Sequence, residues 1–235
     1  MIDLIRFIEI FVIQLSIGGI LFLFIAVLIL RRSTKNLNQI FSMFFITIAI
    51  STITNIIYAS LQDPIIVIIL HILTYYLFSW AMVYLLIFNL LILRPIRGLN
   101  QLTQLLLISI WAFILFGLFP IGINGGVIIN TTTGWKPVWN ISFLLYGIIF
   151  CSILMIIPSI CTSIKIYNRF ENRELKKRWK FFIIGIFFYY LIWGGNSITN
   201  FLANEIIRIL WGIIIFFSFS AIYILYYGVA KQLKE

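Results

Sequence analysis

The residues of this chain that could do chemistry are few, and most are polar side chains set within long apolar runs. His71 is the one histidine of the sequence, and Asn55 and Asn196 interrupt two other apolar runs. A polar or ionisable side chain inside a membrane-spanning helix is costly, so each needs a hydrogen-bond partner or a function. These residues are therefore the first candidates for a binding site.

Helical spacing gathers further polar and aromatic residues onto the same faces as these three. Residues three, four and seven positions apart share one face of a helix, and polar faces avoid lipid. We therefore expect three such faces to turn inward and line a pocket that opens to the outside. The predicted ligand-binding residues are Asn55 and Tyr58 on one helix, His71 and Tyr75 on the next, and Trp193, Asn196 and Asn200 on a third.

A structural role fits the same pattern equally well. Side chains of these types commonly tie membrane helices together, at about 0.6 kcal/mol for each hydrogen bond. For His71 the structural role is favoured over a ligand or proton site, because no Asp or Glu lies within its apolar run. For the set as a whole, pocket and helix packing both stay open.

Catalytic, metal and cofactor sites are not expected. The sequence contains no H-E-x-x-H, G-x-S-x-G or P-loop motif. One histidine and two separated cysteines cannot build a metal site unaided. Cys151 and Cys161 lie ten residues apart, on different faces if the run is helical, so no disulfide joins them.

The composition indicates that the segments carrying these residues belong to a membrane protein. Hydrophobic residues make up 63% of the chain and charged residues 10%, with a mean hydropathy of +1.11. A soluble domain is about half apolar and a quarter charged. Long unbroken apolar runs also exclude an outer-membrane barrel, whose strands are short and alternating. An all-α membrane protein in the cell membrane follows.

Seven apolar runs are long enough to cross a bilayer, which needs about 20 residues. They predict a single seven-helix domain over 1–235, in which Pro158 kinks the fifth helix. Gly194 and Gly195 predict either close helix packing or a break in the sixth. The runs are 8–30, 39–61, 64–93, 103–123, 138–164, 181–203 and 206–230.

Basic residues assign the orientation. Of the 17 Lys and Arg residues, all but Arg6, Lys136 and Arg208 fall on one set of alternating loops. Because basic residues are retained on the cytoplasmic side, the N-terminus is predicted outside and the C-terminus inside. The longest outer loop is 124–137 and the longest inner one is 165–180.

The inner loop 165–180 is a candidate contact surface and is expected to continue the fifth helix. The positive-inside rule and attraction to anionic lipid account for its charge, and a cytoplasmic partner is the alternative. The candidate partner or lipid contacts are Arg173, Lys176, Lys177 and Arg178.

Three segments carry a likeness to a known family. They are RRSTKN at 31–36 before an aromatic-rich helix from Phe41, TGWKP at 133–137, and Tyr167 to Arg169 followed by RELKKR at 173–178, Gly185 and Asn196. In these the chain resembles the seven-helix N-terminal sensor region of prokaryotic histidine kinases and diguanylate cyclases. The resemblance implies a membrane-embedded input module that signals from its last helix to a cytoplasmic output domain, and it assigns no ligand residues.

No output domain follows Lys231 to Glu235, so we expect either a separate partner or a longer parent protein. The first hypothesis is thus a sensor or receptor-like module. A small transporter or channel subunit is the second, and a non-catalytic scaffold subunit the third. Expected partners are the lipid bilayer and a cytoplasmic signalling protein, a homodimer is left open, and nucleic acid is not expected because the basic residues lie in short loops.

Overall fold

The computed structural model of the chain describes residues 8–93 and 99–229. It is 86% helical, which confirms the prediction of an all-α protein. A π-helical stretch, Ile8–Leu21, leads into the first α-helix. The long α-helices are α1 (Phe22–Arg32), α2 (Asn36–Ala59), α3 (Pro64–Leu93), α4 (Gln101–Phe116), α5 (Ile141–Arg169, with a π-helical segment at Ser152–Ile156), α6 (Arg173–Leu202) and α7 (Glu205–Val229). A helical turn, Leu118–Ile121, and a π-helical turn, Gly122–Gly126, follow α4.

Within the described residues, six helices are long and apolar enough to cross a membrane. α7 is 25 residues long, which matches the length that a bilayer core requires. The six candidate spans are Gln14–Arg32, Asn36–Ala59, Pro64–Leu93, Gln101–Gly126, Ile141–Arg169 and Arg173–Leu202. Five of the basic residues that were used to predict the orientation lie outside the described residues. They are Arg6, Arg94, Arg97, Lys231 and Lys234.

Asparagine side chains begin several of the helices. Asn100, Asn140 and Asn172 accept hydrogen bonds from the first backbone N–H groups of α4, α5 and α6. Such caps satisfy donors that have no partner inside the helix. The cap at Asn172 starts α6 eight residues before the predicted boundary. The segment 165–180 therefore continues α5 only as far as Arg169, and the expectation is wrong beyond that residue, because a short turn separates α5 from α6.

Two local irregularities have clear physical causes. Pro158 has no N–H to offer the carbonyl of Leu154, and the N–H of Ile157 bonds to the carbonyl of Ser152, five residues back. The predicted kink is thus accommodated as a π-helical segment. α6 runs unbroken through Gly194 and Gly195, and a Cβ at Gly195 would collide with the indole of Trp211. The glycine therefore serves close packing and not a break.

The loop between α4 and α5 folds into a short hairpin. Val127 pairs with Trp139 and Ile128 with Val138 in an antiparallel ladder. Gly125 has φ of +92°, which glycine adopts without strain, and it turns the chain into the first strand. The sequence had indicated only a loop at 124–137. We call the end of the bundle that carries this hairpin the hairpin end, and the opposite end, where α6 begins, the basic end.

Candidate functional site

His71 joins three elements at the hairpin end. Its side chain is buried, with 5% exposed. The indole N–H of Trp139 donates to Nε2 at 2.9 Å, and Nδ1 lies 3.2 Å from the Tyr58 hydroxyl. An indole nitrogen can only donate, so Nε2 carries no proton. His71 is therefore the neutral tautomer with its proton on Nδ1, and that proton is donated to Tyr58.

Trp139 is a member of this site that was not among the predicted ligand-binding residues. The strand pairing and the cap at Asn140 hold it between the hairpin and α5. Its ring lies 4.7 Å from the Tyr75 ring and 4.8 Å from the Phe143 ring, measured between centroids. A loop tryptophan beside an apolar run is typical of the lipid headgroup level, so the sequence gives no sign that Trp139 is buried.

A second hydrogen-bonded group continues from Tyr75 to α6. The Tyr75 hydroxyl lies 3.2 Å from the Ser197 hydroxyl, which donates to the carbonyl of Trp193 at 2.8 Å. The Trp193 indole stacks on the Tyr75 ring at 5.9 Å and donates to the Ser79 hydroxyl at 2.9 Å. Ser79 lies on the polar face predicted for His71 and Tyr75, and Ser197 lies one turn from Trp193, but neither was among the predicted ligand-binding residues.

The structure brings four of the seven predicted ligand-binding residues together. We call the group the hairpin-end cluster; it consists of Tyr58, His71, Tyr75, Ser79, Trp139, Trp193 and Ser197. It joins α2, α3, α6 and the hairpin, so the predicted inward turn of the three polar faces agrees with the geometry. Its ring nitrogens and hydroxyls are bonded to one another, which is the arrangement expected of helix packing.

The three asparagines lie elsewhere. Asn55 donates to the Gln14 side chain, in the stretch that leads into α1. Asn196 accepts from the Trp211 indole of α7 at 2.8 Å. Asn200 is half-buried and forms no hydrogen bond with the cluster. Asn55 and Asn196 thus form their hydrogen bonds with elements outside the hairpin-end cluster. A ligand role for the three asparagines stays a prediction.

The hairpin is also fastened to the start of α7. Lys136 forms an ion pair with Glu205 at 2.6 Å. Arg208 donates to the carbonyl of Pro137 at 2.6 Å and lies 3.6 Å from Glu205. Two of the three basic residues that departed from the charge bias thus have a structural role, since they fasten the segment that leads to Trp139 to the start of α7.

An open depression of about 360 Å³ lies beside the hairpin. Pro120, Ile121, Asn124, Asn140 and Ser142 line it, and none of them belongs to the hairpin-end cluster. Within the part of the chain that the structure describes, no three His, Cys, Asp or Glu residues are grouped to hold a metal ion. Both cysteines are free, Cys151 buried and Cys161 exposed, as predicted.

Toward the basic end the packing depends on Asn89, another residue that the sequence analysis did not single out. Its side chain is fully buried, and its amide nitrogen lies 2.8 Å from the Ser163 hydroxyl and 3.0 Å from the Ser159 carbonyl of α5. The Trp179 indole of α6 donates to the Ser163 carbonyl at 2.9 Å. Asn89 thus ties α3 to α5 next to the seam with α6.

The predicted contact residues of the basic end differ in their surroundings. Arg173 and Lys177 are exposed. Arg178 pairs with Glu174 at 3.2 Å and lies over the Tyr227 ring of α7. Lys176 lies over the ring of Tyr167, with 4.9 Å between its ammonium and the ring centroid. Two of the four are thus held against aromatic rings, and two are free to meet lipid or a partner.

Comparison with known proteins adds no relative to this picture, since the chain matches no protein-family model and no curated protein. The interpretation of the site therefore depends on the geometry alone.

Proposed function

We propose that this chain is a seven-helix sensor module of the cell membrane, which passes a signal from its outer side to a cytoplasmic partner or output domain. In this proposal α7 is the seventh span, the hairpin end faces outward and the basic end faces the cytoplasm. The support for the orientation is the distribution of basic residues over alternating loops. The family resemblance supports the same role.

The hydrogen bond from Trp139 to His71 carries the proposal. It joins the hairpin between α4 and α5 to a buried residue at the place where α2 and α3 meet. The hairpin is bound at the same time to α7 through Lys136 and Arg208. A ligand or force that shifts the hairpin therefore acts on α2, α3 and α7 together. A signal can do this only through a different affinity for two packings of the helices.

α6 offers a route from the hairpin end to the basic end. Trp193 of the hairpin-end cluster and Tyr189 lie one turn apart on this helix. The Tyr189 ring contacts Phe44 of α2 at 5.0 Å, and its hydroxyl donates to the Phe78 carbonyl of α3. A rotation of α6 at Trp193 would therefore be transmitted to the packing of α2 and α3 below.

The packing toward the basic end favours sensing over transport. A transporter needs a polar path across the bilayer. Beneath the hairpin-end cluster lies a group of rings that we call the phenylalanine cluster; it consists of Phe41, Phe44, Phe88, Trp179 and Phe182. All five side chains are completely buried. Among the described residues these rings fill the interior where such a path would run.

Distance measurement between spin labels at the basic end tests the proposal. Labels are attached at Lys35→Cys and Lys177→Cys, two exposed positions, after Cys151→Ala and Cys161→Ser remove the native thiols. Trp139→Phe keeps an aromatic ring but removes the N–H that reaches His71. We expect the mean distance to move by about 1–2 Å, or a second population to form, as in helix-shift switches.

The matched control is Trp135→Phe, which makes the same change on the same hairpin at a half-buried position. It should leave the distance distribution as in the unsubstituted protein. An unchanged distribution for a folded Trp139→Phe protein would mean that the hairpin does not communicate with the basic end, and the sensor proposal would fail.

A further inference from the structure

Two lysines of α6 converge on one tyrosine ring at the basic end. Lys176 and Lys180 lie four residues apart on one face, and their ammonium groups are 4.9 Å and 5.8 Å from the centroid of the Tyr167 ring. Like charges at this spacing repel each other. The ring attracts both cations, so both ammonium groups lie within 6 Å of its centroid although they repel each other.

No carboxylate compensates this pair among the described residues. Glu174, the acid on the same helix, is engaged by Arg178 at 3.2 Å. Glu171, in the turn before α6, is exposed and forms no ion pair with either lysine. The Tyr167 hydroxyl also forms no hydrogen bond with a described residue. The site therefore presents two ammonium groups and one phenolic donor to an anion.

The position of the site along the helix indicates which anion fits. α6 changes from basic to apolar at Lys180, since Phe181, Phe182 and Ile183 follow it. Tyrosine and lysine at such a boundary lie at the level of the lipid headgroups. The phosphate of a phospholipid lies at this level, and its oxygens accept from ammonium and hydroxyl groups.

We propose that Lys176, Lys180 and Tyr167 form a binding site for the phosphate of an anionic phospholipid headgroup. A single phosphate bridges both ammonium groups and relieves their repulsion. The general charge of the basic end attracts anionic lipid without selecting a position. The three converging donors make this position a defined site. The proposal does not depend on the sensing function.

Native mass spectrometry of the full chain, purified in neutral detergent, tests this site. The probe is phosphatidylglycerol, compared with phosphatidylcholine and with inorganic phosphate. The test variant is Lys176→Gln/Lys180→Gln. The control is Arg31→Gln/Lys165→Gln, which removes the same charge from two exposed basic residues of this end that have no tyrosine contact. Unfolding midpoints in phosphatidylcholine establish that both variants are folded.

We expect the unsubstituted and control proteins to retain phosphatidylglycerol with similar affinity. In the test variant the half-saturating concentration should rise by about tenfold or more, because hydrogen bonds to charged groups are lost. Tyr167→Phe should produce a smaller rise, since it removes only the hydroxyl. The proposal is overturned if the control loses as much affinity as the test variant, or if phosphatidylcholine binds as tightly. Competition by millimolar inorganic phosphate would show a free-anion site and would also overturn it.

Discussion

The hairpin-end cluster and the phenylalanine cluster are both buried and aromatic, yet they are held together by different forces. In the first, each ring brings a nitrogen or hydroxyl that bonds to another element, as Trp139 does with His71. In the second, the rings meet face or edge on, as Phe41 and Phe88 do at 4.5 Å. The stability of the hairpin-end cluster depends on the direction of its hydrogen bonds. The stability of the phenylalanine cluster depends on how completely its rings fill the interior.

This difference indicates where a substitution can change the helix packing without loss of the fold. Removing a ring from a packed interior leaves a cavity, and the cost is large and general. Removing one partner of a buried hydrogen bond leaves the other unsatisfied, and the cost is moderate and local. The hairpin end is therefore the region where a small change can shift helix positions while the bundle stays assembled.

The largest expected effect is a cavity in the phenylalanine cluster. Phe88→Ala should lower the free energy of unfolding by about 3–5 kcal/mol, because a fully buried ring is removed. Reversible unfolding in SDS measures it. Phe113→Ala, at a ring that is 80% exposed, is the control and should change the value by less than about 0.5 kcal/mol. Equal losses for the two variants would remove the distinction between core and surface.

His71→Leu should have the next largest effect, on the hairpin-end cluster. It leaves the Trp139 N–H and the Tyr58 hydroxyl without their partner, which should cost about 2–3 kcal/mol. His71→Gln can still offer an acceptor and a donor, and it should recover part of the loss. The same SDS titration measures both variants. If Leu proved as stable as His, the cluster would be held by ring packing alone.

A pair of glycine substitutions compares the two halves of the α6–α7 seam. A Cβ at Gly185 would lie 2.6 Å from the Cα of Leu225, whereas nothing lies within 4 Å of one at Gly194. Gly185→Ala should cost about 1–3 kcal/mol, because the backbone of α7 must move. Gly194→Ala should be neutral or stabilise by up to about 1 kcal/mol, through helix propensity. Thermal unfolding in one detergent ranks them, and a reversed order would contradict the close approach at Gly185.

The smallest effect is expected at an asparagine outside both clusters. Asn196→Leu removes the acceptor of the Trp211 indole, a half-buried bond between α6 and α7. Interhelical hydrogen bonds of this kind contribute about 0.6 kcal/mol on average. The unfolding free energy should fall by about that amount, and the spin-label distances at the basic end should not change. A shift in those distances would place Asn196 in the same coupled unit as His71.

Most of the helices could be predicted because their cause is local. Apolar runs of sufficient length act within a few residues, so the boundaries of α3 at 64–93 agree with the prediction. The predicted start of α6 was wrong, because the basic stretch before it was assumed to lie outside the spanning helix. Asn172 caps the helix at that point, and the basic residues form its first turns.

The candidate site was predicted only in part, for a physical reason. Spacing along one helix places His71 and Tyr75 on one face, and the structure confirms that this face meets α2 and α6. Spacing gives no information on which helix a neighbouring face will meet. Asn55 shares a face with Tyr58 but binds Gln14, in the stretch before α1. Asn196 shares a face with Trp193 but binds Trp211 of α7.

The all-α structure with long apolar helices could be predicted from the sequence, because the length of hydrophobic runs and the helix caps are properties of short segments. Tertiary structure alone decided that Trp139 enters the bundle, that Asn89 joins α3 to α5, and that Lys176 and Lys180 meet at Tyr167. The first two contacts join residues far apart in the chain, and the third crosses the turn between α5 and α6. All three depend on how the helices pack and rotate. No local pattern of residues encodes that packing.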